Sequence, residues 1–117
     1  HVLVNDYTQI TSCSDRVVSL GRGTLISPFC IINTAKHATE NKFIEEGAHV
    51  CSGKLCSNII IGEDCWIGSH SVILNGSEIC DHSIIAAHSL VNKKVPKYSI
   101  SGGVPVSFIK KREMNDH

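Results

Sequence analysis

Every sixth residue from Ile61 onward is a β-branched aliphatic: Ile61, Ile67, Ile73, Ile79, Ile85 and Val91. Four positions further along each unit stand Cys65, Ser71, Ser77, Ser83 and Ser89, with Val95 closing the series. A period of six matches neither an amphipathic helix nor the alternation of one long strand. It predicts a short strand and a turn, repeated, with the aliphatic pointing inward and the small residue sitting at a tight corner. Three units make a triangular coil, and successive coils stack as parallel strands about 4.8 Å apart. No single repeat can bury its own apolar side, so the core exists only through stacking.

The same period appears earlier, in Leu20, Ile26 and Ile32. The step from Ile32 to Ile61 is not a multiple of six, so the phase breaks between them. Upstream, Val4 and Ile10 keep the period and Arg16 does not. The expected organisation is a single all-β domain over residues 1–117, a parallel β-helix. It comprises a degraded coil over 1–19, a regular coil over 20–37, a loop insertion at about 38–58, two coils over 59–96 and a C-terminal cap over 97–117. An insertion of that length in a compact solenoid points to function.

Charge narrows the function classes. Lys and Arg number 11 and Asp and Glu number 11, so no basic excess marks a nucleic-acid surface. No apolar run reaches membrane-spanning length, and His1–Ile10 lacks the features of a secretory signal. A cytoplasmic protein is expected. The first residue is His1 and not Met, which raises the expectation that N-terminal coils are missing.

Six cysteines lie at 13, 30, 51, 56, 65 and 80. Cys65 and Cys80 fall on regular repeat positions, which favours free thiols in a reducing compartment over a disulfide framework. Cys51 and Cys56, beside His49, lack the C-x-x-C spacing of structural zinc sites, and no metal is expected.

Three segments carry a family resemblance: I-I-I-G-E-D-C-W-I-G-S-H-S-V-I-L-N-G-S-E-I over 59–79, I-I-A-A-H-S-L-V-N-K-K-V-P over 84–96, and S-G-G-V-P-V-S-F-I-K-K over 101–111. Together they resemble the end of hexapeptide-repeat acetyltransferases, on the branch of galactoside, maltose and capsular or O-antigen sugar O-acetyltransferases. Residues 20–37, with Ile26-Ser27-Pro28 and His37, are similar to the coil that carries that branch's active-site histidine. The resemblance implies a left-handed parallel β-helix and direct transfer of an acetyl group from acetyl-CoA to a hydroxyl of a sugar or surface polysaccharide unit. It implies a homotrimer with the coenzyme A cleft between neighbouring solenoids, His37 of one subunit facing the W-I-G segment of the next. Two alternatives remain open at this point. One is N-acetylation of an amino sugar or nucleotide sugar. The other is a non-enzymatic scaffold or a metal protein like the gamma-class carbonic anhydrases.

The site residues follow residue by residue. A histidine at a loop entrance usually does no more than face solvent. The resemblance makes His37 the general base, and a neutral imidazole suits the removal of a hydroxyl proton near neutral pH. Trp66, the chain's one tryptophan, reads as a corner filler or as the flank of the coenzyme arm. Ser69 reads as a turn residue or as the donor to the developing oxyanion. The resemblance adds Gly68, Ala86 and Ala87, small enough for the pantetheine arm to approach, and Asn92, Lys93 and Lys110 near the phosphates. Departures from the family pattern are Ala86-Ala87-His88-Ser89 for the usual G-A-G-S, Asn92 for Thr, and Lys110 for Arg. Asn5 is a candidate acceptor contact. His70 and His88 lie three repeats apart and are expected to stack on one edge, with His82 on another. The H-x-x-x-x-H spacing of the gamma-class zinc site is absent.

Overall fold

The computed structural model describes residues 1–13, 15–35 and 57–114. Its strands, in chain order, are β1 (Leu3–Val4), β2 (Gln9–Thr11), β3 (Val18–Leu20), β4 (Leu25–Ile26), β5 (Ile31–Asn33), β6 (Ile59–Ile61) and β7 (Trp66–Ile67). They continue with β8 (Val72–Ile73), β9 (Glu78–Ile79), β10 (Ile84–Ile85), β11 (Leu90–Val91), β12 (Lys94–Val95), β13 (Ser99–Gly102) and β14 (Ser107–Lys111). Every third strand pairs in parallel. This builds three sheets: I (β1-β4-β7-β10-β13-β14), II (β2-β5-β8-β11) and III (β3-β6-β9-β12). The architecture is the left-handed parallel β-helix, a prism with three sheets as its faces.

Register follows the repeat. Ile67 pairs with Ile85, Ile73 with Val91, and Ile79 with Val95. Ile26, Ile32, Ile61, Ile67, Ile73, Ile79, Ile85 and Val91 are all buried to 1% exposure or less, forming one apolar stack along the axis. Full burial of such a side chain contributes about 1.5–3 kcal/mol, which the short strands could not supply by hydrogen bonding alone. The corner residues Ser71, Ser77, Ser83 and Ser89 are also buried, and each hydroxyl donates to a backbone carbonyl, of Ala86, Val91, Pro96 and Ala86 respectively. Small side chains fit the bend, and their own bonding capacity is used there.

Each corner also holds a residue in the left-handed region, and most are not glycine: Tyr7, Phe29, Asp64, His70, His82, His88 and Tyr98 have φ between 53° and 63°. Their side chains stack along the edges, Tyr7 on Phe29 at 5.1 Å, Phe29 on His70 at 5.0 Å and His70 on His88 at 4.8 Å between ring centres. His82 stacks on Tyr98 at 4.8 Å along a different edge. These ring contacts offset the backbone cost of about 1–2 kcal/mol per position.

Two departures from perfect repetition shape the molecule. In the regular coils each strand pairs with the one three repeats on, as Trp66 does with Ile84. Leu3 pairs instead with Leu25, a slightly longer step, and Leu25 pairs with Trp66, a much longer one. The extra residues fall each time between sheet II and sheet III, on one edge of the prism. The second departure is at the C-terminal end. β13 still pairs in parallel with β10, so the repeat runs to Gly102, beyond the residue 96 read from the aliphatic period. That turn is hard to see in sequence because its inward positions are Ser99 and Ser101, not aliphatics. Buried Val106 closes the end of the core, and β14 folds back antiparallel on β13. At the other end Val4 and Ile10 occupy core columns yet are exposed.

Burial pushes the Cys30 and Cys65 thiols above their ordinary value of 9.0. The folded state therefore holds these protons more tightly than the unfolded chain. Their contribution is complete below pH 9 and is lost as pH rises through the raised folded values. Urea midpoints are expected to fall as pH climbs above about 9, and the decline should shrink in Cys30→Ala/Cys65→Ala.

Candidate functional site

The outer side of sheet I is apolar where most of sheet III's is polar. Its outward positions, in register, are Leu25, Trp66, Ile84 and Ile100. Beside this row runs the corner between sheets I and II, made of Ser27-Pro28, Gly68-Ser69 and Ala86-Ala87 in successive turns. Floor and corner enclose a groove of about 460 Å³.

Each part has a local cause. Trp66 alternates outward because Ile67 points in, and 49% of it is exposed. Its indole does not swing freely: Nε1 donates to Ser27 Oγ at 3.0 Å, across a long separation in sequence. Gly68 is fixed by the stacking of coils. A Cβ there would lie 2.5 Å from the Ala87 nitrogen and 2.8 Å from its Cα, with no flexible side chain to yield. Gly68→Ala is expected to cost several kcal/mol, because backbone would have to move apart at the coil junction; thermal unfolding reads this directly. Ala87 is exposed at the groove edge.

The groove thus brings together Trp66, Gly68, Ser69, Ala86 and Ala87. Lys110 lies opposite Ile100 across the β13–β14 pair and stands at the groove's C-terminal rim. Asn92 and Lys93 are placed elsewhere. They are exposed on the corner between sheets II and III, which in a triangular prism is the edge opposite sheet I. His37 lies outside the described residues, as does most of the 38–58 insertion. The chain leaves the described structure after Ala35 and returns at Ser57, again on that opposite edge. Asn5, in the corner column of Ser27, donates to the Ile26 carbonyl at 3.2 Å.

The sequence by itself assigns no site role to Ser27, Ile84 or Ile100. Ile84 and Ile100 follow once the register is known. Ser27 does not, because the broken phase hides which turn stacks on Trp66.

On the third edge, between sheets III and I, His82 Nδ1 meets Asp64 Oδ2 at 2.9 Å. Arg112 donates to the Asp64 carbonyl at 2.9 Å and reaches its carboxylate at 3.4 Å. This ties the end of β14 to the solenoid. Among the described residues no three His, Cys, Asp or Glu side chains converge as a metal site, and no helix is long and apolar enough to cross a membrane.

Residues 58–93 match the model of the bacterial transferase hexapeptide family, six repeats. The match spans strands β6 to β11. The chain is 34% identical to galactoside O-acetyltransferase of Escherichia coli strain K12 over 118 residues, which is 99% of this chain and 55% of that protein. It therefore spans about half the length of this curated relative. Its fold matches a galactoside acetyltransferase in complex with coenzyme A, at TM-score 0.67 and 23% identity, over 92% of this chain and 66% of that one. It also matches the polysialic acid O-acetyltransferase OatWY, at TM-score 0.70 and 17% identity, over 98% of this chain and 58% of that one.

Proposed function

We propose that this chain is the core of an enzyme that transfers an acetyl group from acetyl-CoA to a hydroxyl of a sugar or surface polysaccharide unit. The observation that carries this reading is the groove. An apolar trough beside a corner of small residues, with an oriented indole over it, suits a narrow, mostly apolar pantetheine arm ending in a thioester. The residues present fit that arm: Ala86, Ala87 and Gly68 leave backbone open to it, and Trp66 offers a flat wall. The relatives named above act on sugars, and one was solved with coenzyme A.

In the proposed reaction the acceptor oxygen attacks the thioester carbonyl carbon while His37 takes its proton. The C–S bond then breaks, the acetyl group stays on the acceptor oxygen, and the proton passes from His37 to the departing sulfur. No acyl-enzyme forms. Ser69, which lines the groove, would donate to the oxygen that gains charge. Lys110 at the rim, with Asn92 and Lys93 from a neighbouring copy, would meet the phosphates.

The same geometry supports a homotrimer. Within one chain the groove and the edge that carries Ala35, Ser57, Asn92 and Lys93 face opposite ways. A closed ring of identical contacts sets the edge of one copy against the groove of the next. Unlinked, buried Cys30 and Cys65 and an acetyl-CoA donor support a reducing, cytoplasmic setting.

Calorimetric titration of acetyl-CoA, with solution mass measured on the same sample, tests the reading. Saturation at one ligand per chain in a trimer is expected. A well-folded trimer that takes up no acetyl-CoA would refute it. Ala87→Leu, which adds bulk at an exposed groove edge, is expected to raise the acetyl-CoA Kd roughly tenfold or more, with stability within about 0.5 kcal/mol of wild type.

A further inference from the structure

We infer that Ser27 is a positioning and ligand-binding residue of the groove: it locks the Trp66 indole in place and offers its hydroxyl proton to a carbonyl of a thioester-bearing pantetheine arm. The second half rests on the acetyl-CoA reading above.

The geometry is specific. Ser27 lines the groove and is 9% exposed, so its hydroxyl lies at the base of the wall and not on open surface. Its main chain is held on both sides. The Ser27 N–H donates to the Ile67 carbonyl at 3.0 Å, and the Ser27 carbonyl accepts from Thr8 Oγ1 at 2.8 Å. The side chain is thereby presented from a fixed backbone. Its Oγ accepts the indole Nε1–H of Trp66 at 3.0 Å. A serine hydroxyl has one proton to give besides its two lone pairs. Accepting from the indole leaves that proton without an acceptor among the described residues, beside a mostly apolar trough. A donor so placed recognises a carbonyl oxygen, and the arm carries amide and thioester carbonyls along its length. Two coils that the long insertion separates in sequence are also joined here, so Trp66 is oriented by the coil preceding the insertion.

The experiment uses the chain's one tryptophan as its probe. Wild type, Ser27→Ala and Ser27→Thr are titrated with acetyl-CoA and, separately, with adenosine 3′,5′-bisphosphate, which lacks the pantetheine arm. Emission is followed throughout. Ser27→Ala is expected to shift the emission maximum of the free protein and to weaken acetyl-CoA binding about 3- to 10-fold. Its affinity for the bisphosphate should be unchanged, and Ser27→Thr should restore both the emission and the affinity. Equal weakening toward both ligands would reduce Ser27 to a structural role and overturn the ligand half. Unchanged emission and unchanged acetyl-CoA affinity would overturn the whole inference. If folded wild type binds neither ligand, the acetyl-CoA reading fails and takes the ligand half with it, while the emission of Ser27→Ala still decides the indole half.

Discussion

His37→Ala is expected to lower kcat by about 10²- to 10⁴-fold while leaving acetyl-CoA affinity within about twofold of wild type. In the proposed reaction the imidazole takes the acceptor proton as the new C–O bond forms and passes it to the departing sulfur. Removing it should slow the chemical step without touching the groove that holds the donor. Placement adds a sharper expectation. Ala35, the last described residue before His37, stands on the edge opposite the groove. In the proposed homotrimer a site combining the two would draw on two copies. Trp66→Ala lies on the groove side, so co-expressing it with His37→Ala tests this. Randomly mixed rings restore about one quarter of the sites, each built from the intact half of two defective chains. Activity recovered near that fraction supports a shared site. Mixtures no more active than the separate variants would place both groups in one chain, and near-normal turnover of His37→Ala alone would remove it as the base.

Ile61→Ala is expected to destabilise the fold by about 2–5 kcal/mol, and Ile60→Ala by less than about 1 kcal/mol. The two isoleucines are neighbours in β6 with the same covalent structure. Ile61 is 1% exposed in the axial stack, and Ile60 is 47% exposed on the outer face of sheet III. Truncating the first leaves a cavity between coils that stacked backbone cannot collapse to fill. Truncating the second removes contacts mostly with water. Because each coil packs only on its neighbours, the loss at Ile61 should also loosen β3 and β9, its partners on either side. Urea unfolding measures the energies, and amide exchange in β3, β6 and β9 measures the spread. Equal effects at the two positions would contradict the inward–outward assignment.

The six-residue period alone determined the solenoid, because one inward aliphatic per strand forces the same column in every coil. It placed Ile61, Ile67, Ile73, Ile79, Ile85 and Val91 in the core and the small residues at the corners, and it exposed the break before Ile61. The last turn was not legible, since its inward positions are serines and its core contact comes from Val106, after the bend. The groove was legible only as separate residues. Trp66, Gly68, Ser69, Ala86 and Ala87 share a side because coils stack at three-repeat intervals, which the period predicts. Ser27 joins them across the insertion, at an offset that no period contains. Asn92 and Lys93 look equivalent to them in sequence, yet they stand on the far edge, because each repeat turns the chain through a third of the prism. Sequence spacing thus determines which residues stack. Which face they share, and where an insertion re-enters the stack, is decided only when hydrogen bonds between coils set the register.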